Sequence, residues 1–283
     1  MNVQNLLRKT RISFVHAGLS SPGLDAEVLL MHVLGMERTD LYLRNQREVS
    51  PEEQAVFDEL AGRRLCGEPV AYLVGRKEFW SLDLSVEPSV LIPRPETEVL
   101  VEEVLQFTSG RENEALRIAD VGTGSGAVAL ALAVALKEAH IFATDISQSA
   151  IAVALRNVRR LRAEERVSLL TGDMLEPLRG DFDCIVSNPP YLSEGAFHCL
   201  MPDVREYEPK SALVAGPEGT EMHRRLISEA RGHLGRNGRL FLEIDPDQKA
   251  QVERCFLESG CYGDIRFRRD YGGRLRVASA ARM

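Results

Sequence analysis

Cysteine pairs of the kinds that cross-link small folds or hold zinc are missing from this sequence. Its 283 residues include five cysteines, an odd number, and no two of them are spaced as Cys-x-x-Cys. We therefore expect a reduced, cytoplasmic protein without disulfides and without a metal site.

Long hydrophobic runs and an excess of positive charge are missing as well. No apolar stretch approaches the roughly 20 residues that cross a bilayer, and the first residues lack the basic start and apolar core of a signal peptide. The formal net charge is −7, which argues against a large basic surface for DNA or RNA. What is present, 44% hydrophobic and 27% charged residues, is typical of a globular protein in water.

Three regions differ in their hydrophobic pattern. Residues 1–75 place apolar side chains at helical spacing and are predicted to form a small helical bundle. Residues 76–93 alternate apolar and polar side chains, which favours a β-hairpin linker. Residues 94–283 then alternate helical and strand patterns, which predicts an α/β domain with a mostly parallel sheet.

The elements of that third region follow from apolar runs separated by turn signals. Two last strands joined at Gly272-Gly273 predict an antiparallel hairpin at the C-terminal end. No regular element is predicted between residues 188 and 219. The predicted strands span 117–121, 140–144, 167–170, 182–187 and 240–244, and the predicted helices span 127–136, 150–161 and 220–234.

The motif Asn188-Pro189-Pro190-Tyr191 follows the predicted strand at 182–187. Two consecutive prolines cannot continue a sheet ladder, so the backbone must leave the sheet here. Asn188 then lies at the carboxyl end of a strand, where open α/β sheets bind ligands. Its amide and the nearby carbonyls can form hydrogen bonds with an NH2 group at two points, and the flat ring of Tyr191 can pack against that group. A plain loop is the alternative interpretation.

A glycine-rich turn links the first strand of the sheet to the helix after it. Glycine lets the backbone approach a ligand closely, and a helix start offers free N–H groups. The turn favours an adenosine-bearing cofactor, and its glycine spacing also satisfies the dinucleotide fingerprint. A tight turn without a ligand is the alternative interpretation here. The turn consists of Gly122, Thr123, Gly124, Ser125 and Gly126.

Acidic residues follow the next two strands. Asp145 is placed to bind a ribose diol, and Asp173 to accept from an adenine amino group, with Met174 beside it to pack on the ring. Acids near the turn favour a ligand with hydroxyls and a positive charge over one with phosphates. S-adenosylmethionine therefore fits better than NAD, although the motif alone leaves a nicotinamide enzyme open.

Together these motifs resemble those of class I methyltransferases that act on planar NH2 nitrogens. The wider sequence resembles the HemK/PrmC family, the protein-glutamine methyltransferases that modify peptide chain release factors. The resemblance covers nearly the whole chain. Two positions depart from the family pattern, since Glu96 stands where Asp is commoner and Asp245 where Gly is commoner. The segments that resemble the family are 67–75, 78–80, 91–98, 188–191, 269–273 and Arg276.

The resemblance implies a fold, a partner and a division of the chain. A Rossmann-like methyltransferase domain is implied at 94–283, a hairpin linker at 76–93 and a helical substrate-recognition domain at 1–75. The family's target is the Gln of a Gly-Gly-Gln motif in class-one release factors. The implied partner is therefore a protein of translation termination, with no stable binding of nucleic acid and no membrane.

The resemblance also assigns site residues by position in this sequence. It assigns S-adenosylmethionine to the glycine turn together with Asp145, Asp173, Met174 and Asn188. It assigns the target glutamine to Asn188, Pro189, Pro190 and Tyr191, with Asn188, Pro189 and Tyr191 as the catalytic set.

The chemistry explains why these groups suffice. An amide nitrogen is a poor nucleophile because its lone pair is delocalised into the carbonyl. We expect the Asn188 side-chain oxygen and the Pro189 carbonyl to accept the two NH2 hydrogens, which aims the nitrogen at the methyl group and favours the developing positive charge. Tyr191 then packs against the planar amide, and neither a nucleophilic side chain nor a metal is needed.

Two other functions stay open on the sequence. Amino methylation of adenine or guanine in DNA or RNA uses the same geometry, but the acidic net charge and the lack of an obvious target-recognition domain count against it. The other is a non-catalytic adenosine-binding module.

Five further side chains carry expectations. Arg94 either pairs with an acid locally or lines the cleft, and Glu96 and Glu98 are expected to favour the start of a helix by their charge, with a contact to the cofactor as the alternative. His198 and His223 lack the spacing of metal ligands and are expected at the surface.

Overall fold

The structure is a computed structural model of residues 1–283, and its contacts divide the chain into two compact units. The first unit comprises Met1–Arg76 and Met201–Tyr207, and the second comprises Lys77–Leu200 and Glu208–Met283. None of the helices combines the length and the hydrophobicity that a membrane span requires.

The first unit is a helical bundle. Its helices are α1 (Val3–His16), α2 (Pro22–Leu34), α3 (Arg38–Leu43), α4 (Pro51–Leu65) and α5 (Val70–Val74). They enclose an apolar core in which Phe14 and Phe57 are fully buried. A buried ion pair joins α4 to α2, because Arg64 Nε lies 2.8 Å from Asp25 Oδ2. The short helix at residues 202–207 belongs to this unit as well.

The second unit alternates strands and helices after a short hairpin. Its helices are α6 (Glu98–Phe107), α7 (Ala127–Ala135), α8 (Gln148–Arg160), α9 (Glu194–Phe197), α11 (Glu221–Ala230) and α12 (Lys249–Ser259), and α10 (Pro202–Tyr207) lies in the first unit. The strands are β1 (Arg76–Phe79), β2 (Leu82–Ser85), β3 (Arg117–Val121), β4 (His140–Asp145), β5 (Val167–Thr171), β6 (Phe182–Ser187), β7 (Leu192–Ser193), β8 (Val214–Gly216), β9 (Leu234–Glu243), β10 (Tyr262–Arg269) and β11 (Leu275–Arg282).

Seven of the strands form one mixed sheet in the order β10-β11-β9-β6-β3-β4-β5. All neighbours from β9 to β5 are parallel, and β11 is antiparallel to both β9 and β10. The predicted fold class, a mostly parallel sheet with a C-terminal antiparallel hairpin, is confirmed. The chain runs outward from β3 through β4 to β5 and then returns to β6 on the other side of β3, so a ligand crevice is expected between the ends of β3 and β6.

Helices cover both faces of this sheet. In β6, Cys184 and Val186 face a core shared with α6, α7 and α8, whereas Ile185 faces a core shared with α11 and α12. Successive strand residues point to opposite faces, so a strand covered on both sides is apolar throughout. That explains why the run at 182–187 is recognisable in the sequence.

Most predicted boundaries are confirmed to within two residues, but one helix and one strand differ. The helix predicted at 220–234 ends at Ala230, and the strand predicted at 240–244 begins at Leu234. Phe182 pairs with Leu234 and Cys184 with Arg239, so β9 carries a bulge. The bulge contains Asn237 in a left-handed conformation at φ 65°. Between 188 and 219 the structure has short elements, β7, α9, α10 and β8, that are too brief to show a period in the sequence.

Candidate functional site

A cavity of about 430 Å³ lies at the carboxyl ends of β3, β4 and β6, within the second unit. Its wall combines the glycine turn, the loops after β4 and β5, the motif after β6 and the segment 89–94. Two predicted site residues, Gly126 and Tyr191, do not line it. The predicted site residues that line it are Gly122, Thr123, Gly124, Ser125, Asp145, Asp173, Met174, Asn188, Pro189 and Pro190.

The glycine turn has a backbone that glycine takes without strain. Gly122 and Gly124 have φ values of 74° and 55°, in the left-handed region that side chains disfavour. A Cβ built on either residue would meet no atom within 4 Å, so the turn presents bare backbone to the cavity. Gly126 differs, because its Cβ would lie 3.4 Å from Cβ of Ala154 in α8. Gly126 therefore permits close packing of α8 instead of forming the cavity wall.

Asp120 lines the cavity and holds the glycine turn in place. Its Oδ2 accepts from the Thr123 hydroxyl at 2.6 Å and from the backbone N–H of Ala129 at 3.1 Å. Burial raises the pKa of the Asp120 carboxyl to about 6, against the opposing effect of those two hydrogen bonds. The carboxyl group thus connects β3, the turn and α7 in one arrangement.

Asp145, at the end of β4, faces the cavity with both oxygens already in use by the backbone. Oδ2 accepts from the N–H of Gly124 and Oδ1 from the N–H of Ser147, each at 2.9 Å. Burial raises the pKa of Asp145, and these two hydrogen bonds oppose the rise. Each carboxylate oxygen has a further lone pair, so the pre-oriented group can still accept from two neighbouring hydroxyls.

Asp173 and Met174 form the wall beyond β5. Asp173 is bound by Arg225 of α11, whose Nη1 lies 3.0 Å from Oδ1 and 2.8 Å from Oδ2. Met174 has a positive φ of 46°, and its carbonyl accepts from the Thr144 hydroxyl at 2.9 Å. Arg225 is therefore a neighbour of the predicted adenine position that the sequence did not reveal.

Asn188 lines the cavity with Pro189 and Pro190, after β6, which lies on the other side of β3 from β4. Its Nδ2 donates to Oγ1 of Thr97, which precedes α6, at 3.2 Å. The strand before it is held to β3, where the Ser187 hydroxyl donates to the Val121 carbonyl at 2.7 Å. The side-chain nitrogen of Asn188 is thus engaged by the protein, and its carbonyl oxygen makes no hydrogen bond to another residue.

Tyr191 points away from the cavity. Its hydroxyl donates to Oε1 of Glu243 at the end of β9, at 3.3 Å, and burial together with the Glu243 charge raises the pKa of the phenol. Glu243 is 1% exposed, and burial raises the pKa of its carboxyl to about 7. The predicted stacking of Tyr191 on a substrate amide stays a prediction, and its observed role is to contact Glu243.

Asp245 departs from the family pattern and caps a short turn at Pro246–Gln248. Its Oδ1 accepts from the N–H of Asp247 at 2.9 Å. The turn brings Gln248 to the motif, where Nε2 donates to the Tyr191 carbonyl at 2.7 Å. The acid thus supports the segment that carries Tyr191.

Arg94 does both things that the sequence left open. It lines the cavity and forms an ion pair with the buried Glu208, which also accepts from the N–H of Ile92 at 3.3 Å. Glu98 begins α6 as expected, and its Oε1 accepts from the N–H of Trp80 at 2.8 Å. Neither Glu98 nor Glu208 lines the cavity.

The two histidines differ from each other. His198 is exposed, as predicted, but the prediction of a surface position for His223 is wrong because it is fully buried. His223 shares a helical face with Leu226 and Ile227, and its Nε2 lies 2.8 Å from the Glu243 carbonyl oxygen. Burial lowers its pKa, which favours the neutral ring.

Comparison with known proteins places these features in a family. Residues 5–75 match the PrmC N-terminal domain, and residues 96–201 match the methyltransferase small domain. A protein of Rhodopirellula baltica named release factor glutamine methyltransferase is 40% identical over 281 residues, which are 98% of this chain and 95% of that protein. One of the same name from Moorella thermoacetica is 44% identical over 266 residues, 94% and 93% of the two chains.

The chain belongs to the release factor glutamine methyltransferase family. Its members are S-adenosylmethionine-dependent protein-glutamine methyltransferases, so the predicted family, enzyme class and cofactor are confirmed. The fold is shared more widely. The human METTL16 catalytic domain, solved with a MAT2A 3′UTR hairpin, has a TM-score of 0.59 at 14% identity, with 78% of this chain and 81% of that chain covered.

The residues present fit S-adenosylmethionine. The cavity size lies within the range of about 300–1,000 Å³ that small-molecule sites occupy. Gly122 and Gly124 leave room for close approach of the ligand, and Asp145 offers two acceptors at a fixed separation, as a ribose diol requires.

Besides Arg225, sequence reasoning missed three residues that shape this site: Thr97, Glu243 and Asn157. Asn157 is buried in α8, where its Nδ2 donates to the Ser125 carbonyl at 2.8 Å and its Oδ1 accepts from the N–H of Ser85 at 2.7 Å. It therefore ties the hairpin to the glycine turn. An asparagine in the apolar stripe of α8 is a signal that could have found it, whereas Thr97 and Glu243 read as ordinary helix-start and strand residues.

Proposed function

We propose that this enzyme transfers a methyl group from S-adenosylmethionine to the side-chain amide nitrogen of the glutamine in the Gly-Gly-Gln motif of class-one release factors, and thereby tunes translation termination. The observation that carries the proposal is that Asn188, Pro189 and Pro190 line the same cavity as Asp145 and the glycine turn. The names of the relatives support the choice of a release factor as the substrate.

The acceptor side binds and aims the target nitrogen. The Asn188 carbonyl oxygen and the Pro189 carbonyl accept the two hydrogens of the glutamine NH2 group. This takes up both N–H directions, so the face of the nitrogen points at the methyl group. The engagement of Nδ2 by Thr97 supports this role, because it leaves the oxygen of Asn188 as the group available to a substrate.

The cofactor side fixes the donor. S-adenosylmethionine supplies a methyl group on a positively charged sulfur. Asp145 accepts from its ribose hydroxyls, the backbone at Gly122 and Gly124 allows close approach, and Asp173 with Met174 receives the adenine. Pre-orientation of this kind supplies a large part of a rate enhancement when two reactants must meet in line.

Neutral acceptors suit the reaction. Deprotonating an amide before attack would need a strong base, whereas carbonyl oxygens stabilise the positive charge that develops on the nitrogen as it attacks. The N–C bond would form as the C–S bond to the methyl group breaks and its electron pair stays on the sulfur, and the nitrogen would then lose one hydrogen to solvent as a proton. Asn188 and the Pro189 carbonyl can therefore serve both binding and charge stabilisation.

We also propose that the helical region at 1–75 helps to hold the release factor, which would limit transfer to that protein. Because release factors act at ribosomes, the enzyme is expected in the cytoplasm. The acidic net charge of −7 gives no support to stable binding of nucleic acid.

Transfer of a labelled methyl group tests the proposal. Purified enzyme should label a class-one release factor, and a release factor with the motif Gln changed to Ala should stay unlabelled. Mass spectrometry should locate the added methyl group on that glutamine. Labelling of DNA or RNA in place of the release factor would overturn it.

A further inference from the structure

The glycine turn is hydrogen-bonded to two elements outside it. The first is the end of β4, where the Thr144 carbonyl accepts from the N–H groups of Gly122 and Thr123, each at 2.9 Å. The second is α8, where Nδ2 of Asn157 donates to the Ser125 carbonyl at 2.8 Å. Ser125 lines the cavity and is 3% exposed. The conformation of this part of the cavity wall therefore depends on α8.

Asn157 meets three backbone groups with one amide. Its Oδ1 accepts from the N–H of Ser85 at 2.7 Å, and its Nδ2 donates to the Ser85 carbonyl at 3.0 Å as well as to the Ser125 carbonyl. A side-chain amide offers one acceptor oxygen and two donor hydrogens. Because the Ser85 N–H needs an acceptor, the orientation of the amide is fixed, and both of its hydrogens face carbonyl oxygens.

The amide lies where water cannot replace it. Asn157 is fully buried, together with Val153, Ala154 and Val158 on the inner face of α8. A buried carbonyl or N–H group that loses its partner destabilises the arrangement that it belongs to. The same face of α8 also packs on the turn, since a Cβ built on Gly126 would lie 3.4 Å from Cβ of Ala154. Helix α8 therefore supports the turn both by packing and by a hydrogen bond.

We infer that Asn157 is a positioning residue for S-adenosylmethionine: it holds the Ser125 carbonyl, and with it the glycine turn, in the conformation that binds the cofactor. The inference rests on the proposed position of the cofactor at this turn. It assigns a role in cofactor binding to a residue that does not line the cavity. Through the same amide β2 supports the cofactor site, since its last residue is Ser85.

Two exposed ion pairs also join α8 to the segment around β2, and they provide a comparison. Arg156 pairs with Glu87, and Arg160 pairs with Asp83. The four side chains are between 31% and 50% exposed, and such pairs contribute little. Neither pair has a hydrogen bond to the turn. Loss of one of these pairs should therefore leave cofactor binding unchanged, whereas loss of the Asn157 amide should weaken it.

The substitution Asn157→Asp tests the two donated hydrogens directly. It keeps nearly the same shape, but an ionised carboxylate has no hydrogen for the two carbonyls. Burial and the facing carbonyl oxygens raise the pKa of such a carboxyl group. Once protonated, it can donate to the Ser125 carbonyl while its other oxygen accepts from the Ser85 N–H. Asn157→Asp should therefore bind the cofactor weakly at high pH and recover affinity as the pH falls.

Calorimetric titration of the full-length enzyme with S-adenosylhomocysteine, the demethylated cofactor, measures this between about pH 5.5 and 9. The carboxyl groups of Asp120 and Asp145, which also hold the turn, are common to all proteins compared. The ratio of the Kd of each variant to that of wild type at the same pH therefore isolates position 157. Arg156→Ala is the matched control, and its Kd should stay within about twofold of wild type.

Asn157→Leu keeps a similar volume and removes all three hydrogen bonds. Its Kd should rise about 10- to 100-fold, with kcat at saturating S-adenosylmethionine within about threefold of wild type. The Kd of Asn157→Asp should lie about 30-fold above wild type near pH 9 and within about fivefold of it near pH 5.5.

Urea unfolding of the same proteins separates this role from a general structural one. If Asn157→Leu is destabilised but binds the cofactor as tightly as wild type while folded, the inference is overturned. A Kd ratio for Asn157→Asp that does not change with pH also overturns it, and that measurement needs only one folded variant. Failure of wild-type enzyme to label a release factor would instead overturn the proposed function. Because the titration contains no release factor, it would still decide the role of Asn157.

Discussion

The two sides of the cavity are built in different ways. On the cofactor side, Asp145 is held by backbone N–H groups of the turn and of its own loop, and Asp120 is held by Thr123 and Ala129. On the acceptor side, Asn188 depends on a side chain 91 positions away in the sequence. The first side joins neighbouring parts of the chain, since Gly124 and Asp145 lie 21 positions apart at the ends of the paired strands β3 and β4, whereas the second side joins distant segments.

The two buried carboxyls sharpen this contrast. Asp120 receives two hydrogen bonds, and burial raises its pKa to about 6. Glu243 receives one long hydrogen bond and has an unpartnered oxygen, and burial raises its pKa to about 7. A buried acceptor without a hydrogen-bond partner is destabilising, so the acceptor side contains the less stable of the two carboxyl groups.

Replacing Asn188 by Ala should have the largest effect. Loss of the acceptor that aims the nitrogen should lower turnover by about 10³-fold or more, with a modest loss of cofactor affinity, because Asp145 keeps its hydrogen bonds to the backbone when Asn188 is replaced. Single-turnover transfer and calorimetry measure the two quantities. Asn113→Ala, at an exposed loop residue, is the matched control and should behave as wild type. Equal losses of turnover and of cofactor affinity would show that the two sides of the cavity are not independent.

The same contrast explains how much of the site the sequence predicts. Gly122, Gly124 and Asp145 lie at the ends of strands with clear apolar patterns, and these strands, β3 and β4, are consecutive in the chain and paired in the sheet. Asn188 is recognisable because two prolines directly after an apolar strand force the chain out of the sheet at that residue. The position of each at a strand end follows from the predicted sheet alone.

Other features depend on contacts between distant segments. Thr97 and Glu243 become part of the site through the pairing of β9 with β6 and the placement of α6, which no local pattern encodes. The sequence predicts Tyr191 in the cavity wall, but the chain direction after two prolines is fixed by Gln248 and turns the ring towards Glu243. The prediction for His223 is wrong for a related reason, since burial of its face depends on α11 packing against β9.

Glu243→Gln should stabilise the second unit above neutral pH. Burial raises the carboxyl pKa from its ordinary value of 4.5 to about 7, so the folded state binds this proton more tightly than the unfolded state. The stability that it provides is fully present below about pH 4.5 and is lost as the pH rises to about 7, a loss on the order of 3 kcal/mol. Because Gln does not titrate, Glu243→Gln does not lose stability in this way as the pH rises.

Urea unfolding at pH 5 and pH 8 measures this effect, with fluorescence of Trp80 as the probe of the second unit. The stability advantage of Glu243→Gln should grow between the two pH values. Glu114→Gln, at an exposed residue, serves as the control. The same pH dependence in wild type and Glu243→Gln would place the cause elsewhere, with Asp120 as the next candidate.

Asp145→Asn should weaken the cofactor side and leave the acceptor side intact. An Asn places an NH2 group opposite one of the two backbone N–H donors at Gly124 and Ser147, and it removes the negative charge that we propose binds the ribose diol. Cofactor Kd should rise on the order of 10- to 100-fold, with turnover at saturation within about fivefold of wild type. Asp181→Asn, at an exposed residue, is the control. A collapse of turnover at saturating cofactor would contradict the separation of the two sides.

Arg225→Ala should have the smallest effect, because its pair with Asp173 is about 40% exposed on each side and such pairs contribute at most about 1 kcal/mol. Asp173, which we propose accepts from the adenine amino group, keeps its lone pairs when Arg225 is removed, so the cofactor Kd should rise by less than about fivefold. Arg224→Ala removes a neighbouring exposed pair with Glu218 and should change nothing. A loss above about 30-fold in Arg225→Ala would mean that the arginine itself contacts the cofactor. The cofactor side would then also depend on a distant helix, and the contrast between the two sides would fail at this point.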